Sequence, residues 1–181
     1  MALTDRLARQ LICYAHADAR TVQSVHRYGA LSVWEYLVAA NAATPISARA
    51  CNVDLDEVYR REQELARHNA CFITPEDLSW PALLNDLPED QRPIGLWVRG
   101  SVDLRVATAR SVAIVGSRAC TSYGERVAVG MAGDLAHKGW TITSGGAYGI
   151  DAAAHRGALA VGGTTIAVLA NGIDIAYPRS H

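Results

Sequence analysis

The chain has 181 residues, of which 50% are hydrophobic and 19% are charged. This length allows one domain or two small ones, and the composition excludes a disordered chain. No apolar run approaches the roughly 18 residues of a membrane span. The N-terminal stretch carries Asp5, Arg6 and Arg9 and no small-residue cleavage site, which excludes a secretory signal. We therefore expect a soluble, cytoplasmic protein.

Charge is distributed unevenly along the chain. The net charge of −1 argues against a protein that binds polyanions over its whole surface. Residues 1–99 carry 10 basic and 13 acidic side chains, whereas residues 100–181 carry 7 basic and 5 acidic ones. If nucleic acid binds, we expect it at a local basic patch in the second half.

The cysteines and histidines show no pattern of a metal site. The four cysteines lack zinc-ligand spacing, and the six histidines are scattered. We therefore expect no metal, and we expect the cysteines to be buried free thiols. The cysteines are Cys13, Cys51, Cys71 and Cys120.

Residues 1–71 have the apolar spacing of short helices. Helices of this length joined at Tyr28-Gly29-Ala30 resemble a small SAM-like or helix-hairpin-helix bundle. Because the segment is acidic, we expect it to hold protein contacts rather than DNA. The predicted helix starts are Thr4, Ser32 (with Glu35 as its capping-box partner) and Asn52 or Asp54, and a helix end is predicted near Gly29.

Residues 72–100 are predicted to be a connector. Thr74 and Pro75 are typical of the start of a short helix. Three later prolines interrupt the segment, and Ile94 to Val98 has the composition of a strand that ends at Gly100.

Residues 101–181 change to an alternation of strands and helices. This order predicts an α/β fold with a doubly wound parallel sheet. The first strand is a continuous apolar run, so we expect it to be buried on both faces. The first helix is expected to bury Val127, Met131 and Leu135. The strands are predicted over 111–116, 140–146 and 164–172, and the helices over 122–138 and 150–163.

Glycines mark the ends of all three predicted strands. Ligands collect at this edge of a parallel sheet, and helix N-termini there direct free N–H groups toward anions. The sequence therefore predicts a phosphate-binding edge. It contains neither the dinucleotide fingerprint after the first strand nor a P-loop. The segments at the three strand ends, called glycine exits below, are Gly116-Ser117-Arg118, Ser144-Gly145-Gly146 and Asn171-Gly172.

Several side chains near this edge have two interpretations. Arg118 could hold a phosphate with two hydrogen bonds, or pair with a surface carboxylate. Asp151 and His155 lie on one helical face. They could form a catalytic pair, or Asp151 could bond the amides of residues 145–149 with His155 in support. The aromatic rings of Tyr123-Gly124 and Tyr177-Pro178 could stack on bases or pack against loops.

Together these motifs resemble the DprA/Smf family of bacterial DNA-processing proteins. The resemblance implies an extended Rossmann fold that binds single-stranded DNA without strong sequence preference and assists the RecA recombinase in natural transformation. It implies no catalysis and no cofactor. It runs from about Trp80 to the end, through residues 112–124, 143–155, 157–174 and 177–178.

The resemblance also assigns site residues. Tyr148 stands where the family usually has an arginine, which removes one cation but offers a ring that could stack on a base. The phosphate-binding residues it implies are Gly116, Ser117, Arg118, Ser144, Gly145, Gly146, Gly149 and Asp151, with Tyr123, Tyr148 and His155 in support.

The family domain continues with further strands after these three, and it carries surfaces for homodimer formation and for RecA. We therefore expect an incomplete Rossmann-like sheet with an unpaired edge, from a fragment or a truncated gene product. Marginal stability, weakened DNA binding and loss of the family's homodimer interface are the corresponding expectations.

Two other functions are compatible with the sequence. An enzyme related to the LOG phosphoribohydrolases would use a similar glycine edge, although the PGGxGTxxE motif is absent from the sequence. The chain could also be a non-functional truncated remnant.

Overall fold

The computed structural model describes residues 3–175 and residue 177. The chain divides into two compact units between Ser101 and Val102. None of the helices in the described part is both long and apolar enough to cross a membrane.

Five helices form most of the first unit. Thr4 caps the first helix by accepting a hydrogen bond from the Leu7 amide at 3.2 Å, and Asp54 caps the fifth, as predicted. Their apolar faces meet in one core that includes Leu11, Ile12 and Val25. The helices are α1 (Asp5–Tyr14), α2 (Ala19–Tyr28), α3 (Ala30–Ala39), α4 (Pro45–Cys51) and α5 (Leu55–Arg67).

The prediction that Ser32 caps the third helix is wrong. Gly29 has a φ of +83° and serves both as the end of α2 and as the start of α3, so Ser32 lies inside the helix. A glycine permits this abrupt change of direction without steric strain. The Asp5 carboxylate accepts the Ala30 amide at 3.2 Å and thereby satisfies one of the free N–H groups at the start of α3.

Residues 72–100 are part of the first unit rather than a connector. Strand β1 (Ala70–Ile73) pairs antiparallel with β2 (Leu96–Arg99), and Phe72 is buried tightly against Gly95. Because β2 at the end of the segment pairs with β1 at its beginning, the segment forms a closed loop on the helical unit.

The predicted short helix after Thr74 is a turn. The Asp77 carboxylate accepts the Thr74 amide at 2.7 Å, and the Asp77 amide donates to the Thr74 carbonyl at 2.9 Å. This reciprocal pair closes a turn before a helix can form.

The second unit contains the predicted parallel sheet. Its three strands pair in the order β3, β4, β5, and α7 and α8 form the two crossovers. The mixed α/β fold class is thus confirmed. The elements are α6 (Leu104–Ala109), β3 (Ser111–Ala113), α7 (Ser122–His137), β4 (Thr141–Ser144), α8 (Ile150–Ala160) and β5 (Thr165–Ala167).

Two burial predictions for this unit are wrong. Strand β3 is only partly buried because it pairs with β4 alone among the described residues. Helix α7 buries Ala128, Ala132 and Ala136. Val127 and Met131 are 41% and 51% exposed, and of the three predicted residues Leu135 alone packs against the core, where it is partly buried. A side chain at Gly157 would clash with the main chain of α7, so the two helices approach too closely for larger residues between them.

The cysteines are free, but the expectation that they are buried is wrong. Cys51 and Cys71 are exposed, and Cys13 and Cys120 are partly buried. Burial raises the pKa of the Cys13 thiol to about 11, against a smaller opposing effect of Arg9.

Candidate nucleic-acid interface

The loops that follow the three parallel strands converge on one cleft. Its volume is about 480 Å³. The first loop contributes Arg118, the second contributes residues 145–147, and the third contributes residues 168–171. Asp151 of α8 and Tyr177 complete the lining. The sheet therefore brings these loops together at its carboxyl edge, where ligands of parallel sheets bind.

Glycines hold the first two loops in contact. Gly149, with a φ of +79°, precedes α8, and a Cβ there would clash with the carbonyl oxygen of Ser117. The Ile150 amide donates to that same oxygen at 3.2 Å. Gly116 packs against the Ile150 side chain. Gly116 and Gly149 are thus packing positions, and neither lines the cleft.

The hydroxyls of the two serines in the predicted phosphate-binding loops donate to main-chain carbonyls. Ser144 is buried and donates to the carbonyl of Ile114 at 2.6 Å. Ser117 donates to the carbonyl of Ala119 at 3.1 Å. Because a hydroxyl has only one proton to donate, both hydroxyls are used within the fold, and the expected phosphate contact of these loops through their main-chain amides stays a prediction.

Asp151 occupies the anion position at the start of α8. Its Oδ2 accepts the Ala147 amide at 3.4 Å, and the side chain is only 8% exposed. This contact agrees with the interpretation that Asp151 bonds the amides of the second loop. A carboxylate repels phosphate, so the implied role of Asp151 as a phosphate ligand is not supported by this geometry.

His155 of α8 contacts the second loop and strand β5. One ring nitrogen, Nε2, lies 2.8 Å from the Gly145 carbonyl oxygen, and Nδ1 lies 2.6 Å from the Thr165 hydroxyl. The structure shows no hydrogen bond between His155 and Asp151. The arrangement is therefore that of a loop support, and not of a catalytic carboxylate–imidazole pair.

Arg118 is exposed and makes no hydrogen bond or ion pair with any described residue. The alternative that it pairs with a surface carboxylate is therefore not observed in the described part of the chain. A free guanidinium can bind a phosphate through two parallel hydrogen bonds.

The aromatic residues differ in their placement. Tyr123 and Tyr148 are 71% and 50% exposed and do not line the cleft. Tyr177 does line it, with its ring beside Gly146. Its neighbour Pro178 lies outside the described residues.

The third loop contributes residues that the sequence reasoning did not select. Val168, Leu169 and Ala170 lie in the predicted third strand and in the segment 157–174 of the resemblance, but none was chosen as a site residue, and the structure ends the strand at Ala167. Asn171 belongs to a predicted glycine exit, and its amide donates to the carbonyls of Gly172 and Ile175 at 3.0 and 2.8 Å. This side chain therefore fixes the third loop.

The described residues contain no group of three or more His, Cys, Asp or Glu side chains placed to hold a metal.

Comparisons with known proteins match the second unit together with the last part of the first. The family model for DNA recombination-mediator protein A matches residues 71–181. A Mycobacterium tuberculosis relative that carries the name DprA is 44% identical over 137 residues, which is 71% of this chain and 35% of the relative. The Smf protein of Synechocystis is 41% identical over 121 residues, 66% of this chain and 30% of that protein.

A solved structure extends the likeness to the helical unit. The X-ray structure of DNA processing protein A from Streptococcus pneumoniae matches with a TM-score of 0.74 and 25% identity, and covers 99% of this chain and 62% of that one. The chain spans about a third of the length of the curated relatives it matches. It belongs to the DNA recombination-mediator protein A family, the DprA/Smf family of DNA-processing proteins.

Proposed function

We propose that this chain binds single-stranded DNA, without strong sequence preference, at the cleft where the three loops meet. The observation that carries the proposal is the exposed Arg118 guanidinium at that cleft, which has no hydrogen-bond or ion-pair partner among the described residues. Phosphate oxygens are partners that such a group binds well through two parallel hydrogen bonds, and Arg118 shares the cleft lining with the glycines of the second loop.

The proposed role is binding rather than catalysis. Asp151 is the only carboxylate among the described lining residues, and it contacts a loop amide instead of an imidazole. We expect no release of free base when the protein is incubated with nucleoside monophosphates. Measurable release would instead support the phosphoribohydrolase alternative.

Family membership suggests a cellular role for this binding. The relatives are named for DNA processing, and we propose that this chain acts in recombination and natural transformation by presenting single-stranded DNA to RecA in the cytoplasm. Homodimer formation and the RecA contact are proposals for the longer family members, since this chain spans only part of them.

The direct test is fluorescence anisotropy with a labelled oligo-dT, compared with a duplex of the same length. We expect tighter binding of the single strand and a loss of affinity in Arg118→Ala. Arg105→Ala is the matched control, because Arg105 is also exposed but belongs to α6, before β3 and thus at the opposite edge of the sheet. Equal effects of the two substitutions would contradict the assigned site.

A further inference from the structure

The two charged side chains that line the cleft differ in sign and in exposure. Arg118 is exposed, whereas Asp151 is almost completely buried although both line the same space. A groove that only follows the sugar–phosphate backbone needs cations. The contact of Asp151 with the second loop accounts for its place at the start of α8, but backbone binding alone gives no use for a carboxylate in the cleft lining.

The Asp151 carboxylate has few donors for its degree of burial. Oδ2 accepts one amide, from Ala147, at the long distance of 3.4 Å. Oδ1 has no hydrogen-bond partner among the described residues. An ionised carboxylate can accept about four hydrogen bonds, and among the described residues only one donor reaches it. Because Asp151 lines the cleft, this spare acceptor capacity suits a ligand that brings N–H donors into it.

The remaining walls suit a flat, apolar ring. Val168, Leu169 and Ala170 line one side, and Tyr177 lines the cleft beside Gly146. The volume of about 480 Å³ lies within the range of about 300–1,000 Å³ that is usual for small-molecule sites. A nucleobase combines apolar faces with N–H donors on its hydrogen-bonding edge.

We propose that the cleft is a nucleobase subsite in which Asp151 accepts hydrogen bonds from the base edge while Arg118 holds an adjoining phosphate. This inference rests on the proposed binding of single-stranded DNA. Guanine is the best match, because its adjacent N1–H and N2–H donors suit the two oxygens of one carboxylate. A single subsite of this kind gives only a modest preference, which is compatible with binding to strands of any sequence. In a duplex that edge is occupied by the partner base, so the subsite also selects unpaired strands.

The test compares three short single strands on the full chain: one with abasic residues throughout, one with guanine at its central positions, and one with 1-methylguanine there. We expect guanine to bind about tenfold more tightly than the abasic strand, in the range of a good carboxylate–base contact. Methylation of N1 removes a donor and is expected to abolish most of this gain.

Asp151→Asn separates recognition from structural support. It removes the negative charge, so we expect the guanine strand to lose affinity while the abasic strand binds more tightly. If a folded Asp151→Asn variant bound both strands more weakly, Asp151 would act only as a structural support, and the inference would be overturned. Should this variant fail to fold, the 1-methylguanine comparison on the unmodified protein still decides the question.

The outcomes also distinguish the two proposals. Equal affinity of the unmodified protein for guanine and abasic strands would overturn the base subsite but leave single-strand binding intact. Failure to bind any of the three strands would overturn both.

Discussion

Arginines are used differently in the two units of this molecule. Arg9 of α1 donates hydrogen bonds to two carboxylates and one main-chain oxygen, and its side chain is only 11% exposed. Arg118 of the second unit is exposed and has no partner among the described residues. Arg9 therefore stabilises the fold, whereas Arg118 is available to bind a ligand.

The contact between the first two loops gives the largest expected effect. Gly149→Ala places a Cβ against the Ser117 carbonyl and forces a non-glycine residue to a φ of +79°. We expect a loss of about 3 kcal/mol or more in unfolding free energy, measured by urea denaturation. Gly130→Ala is the control, since its Cβ would meet nothing within 4 Å. We expect it to be neutral or stabilising by up to about 1 kcal/mol.

The contrast between the two arginines predicts opposite phenotypes. Arg9→Ala removes contacts with Asp5, Glu76 and the Ile94 carbonyl. We expect it to lower the unfolding free energy by about 1–2 kcal/mol with DNA affinity retained. Arg118→Ala should lower DNA affinity with no change in the melting temperature. The comparison fails if Arg118→Ala destabilises the protein as much as Arg9→Ala does.

A smaller effect belongs to the cap of α2. Asp18 accepts hydrogen bonds from the Thr21 amide and hydroxyl at 2.8 and 2.7 Å, and the hydroxyl and amide contacts hold the pKa of its carboxyl below the usual range. A carboxyl with a lowered folded-state pKa stabilises the fold above its unfolded-state pKa, and that contribution is lost as pH falls through the folded-state value.

Asp18→Ala should therefore reduce stability by about 1 kcal/mol at neutral pH. In acid, where the unmodified Asp18 carboxyl is protonated, the difference between the two proteins should shrink. Chemical denaturation at neutral and acidic pH measures both quantities. A difference that stays constant, or grows in acid, would show that the charge of Asp18 does not contribute.

The smallest effect concerns thiol reactivity, and leaves the fold unchanged. The raised pKa of Cys13, about 11, reduces its thiolate at mildly alkaline pH, whereas Cys51 and Cys71 are exposed. We expect iodoacetamide to label these two first, as followed by mass spectrometry of the peptides. Labelling of Cys13 at the same rate would contradict the packing of α1.

The order of elements in the second unit could be predicted from the sequence, because apolar runs with glycine exits alternate with helical periodicity. Convergence of the three loops followed from the parallel sheet. The buried face of α7 could not be predicted in this way. Val127 and Met131 have the expected spacing, but the close approach of α8 at Gly157 selects the alanines instead.

The location of the candidate site could be predicted from the sequence, but the contacts of its side chains could be predicted only in part. Arg118 and the second glycine loop line the cleft as expected. The hydroxyl of Ser144 bonds across the sheet to Ile114, and sequence spacing carries no information about such a partner. Tyr177 was recognised as an aromatic near this edge, whereas Val168 was not chosen as a site residue.

The central claim is that Arg118 neutralises a phosphate of bound single-stranded DNA, and the salt dependence of affinity tests it most directly. Binding of a labelled oligo-dT is measured over a series of salt concentrations for the unmodified protein, Arg118→Ala and Arg105→Ala. The account predicts that Arg118→Ala flattens the slope of log K against log salt by about 0.7, the value for one phosphate contact on a single strand, while Arg105→Ala leaves it unchanged. An unaltered slope in Arg118→Ala would contradict the account.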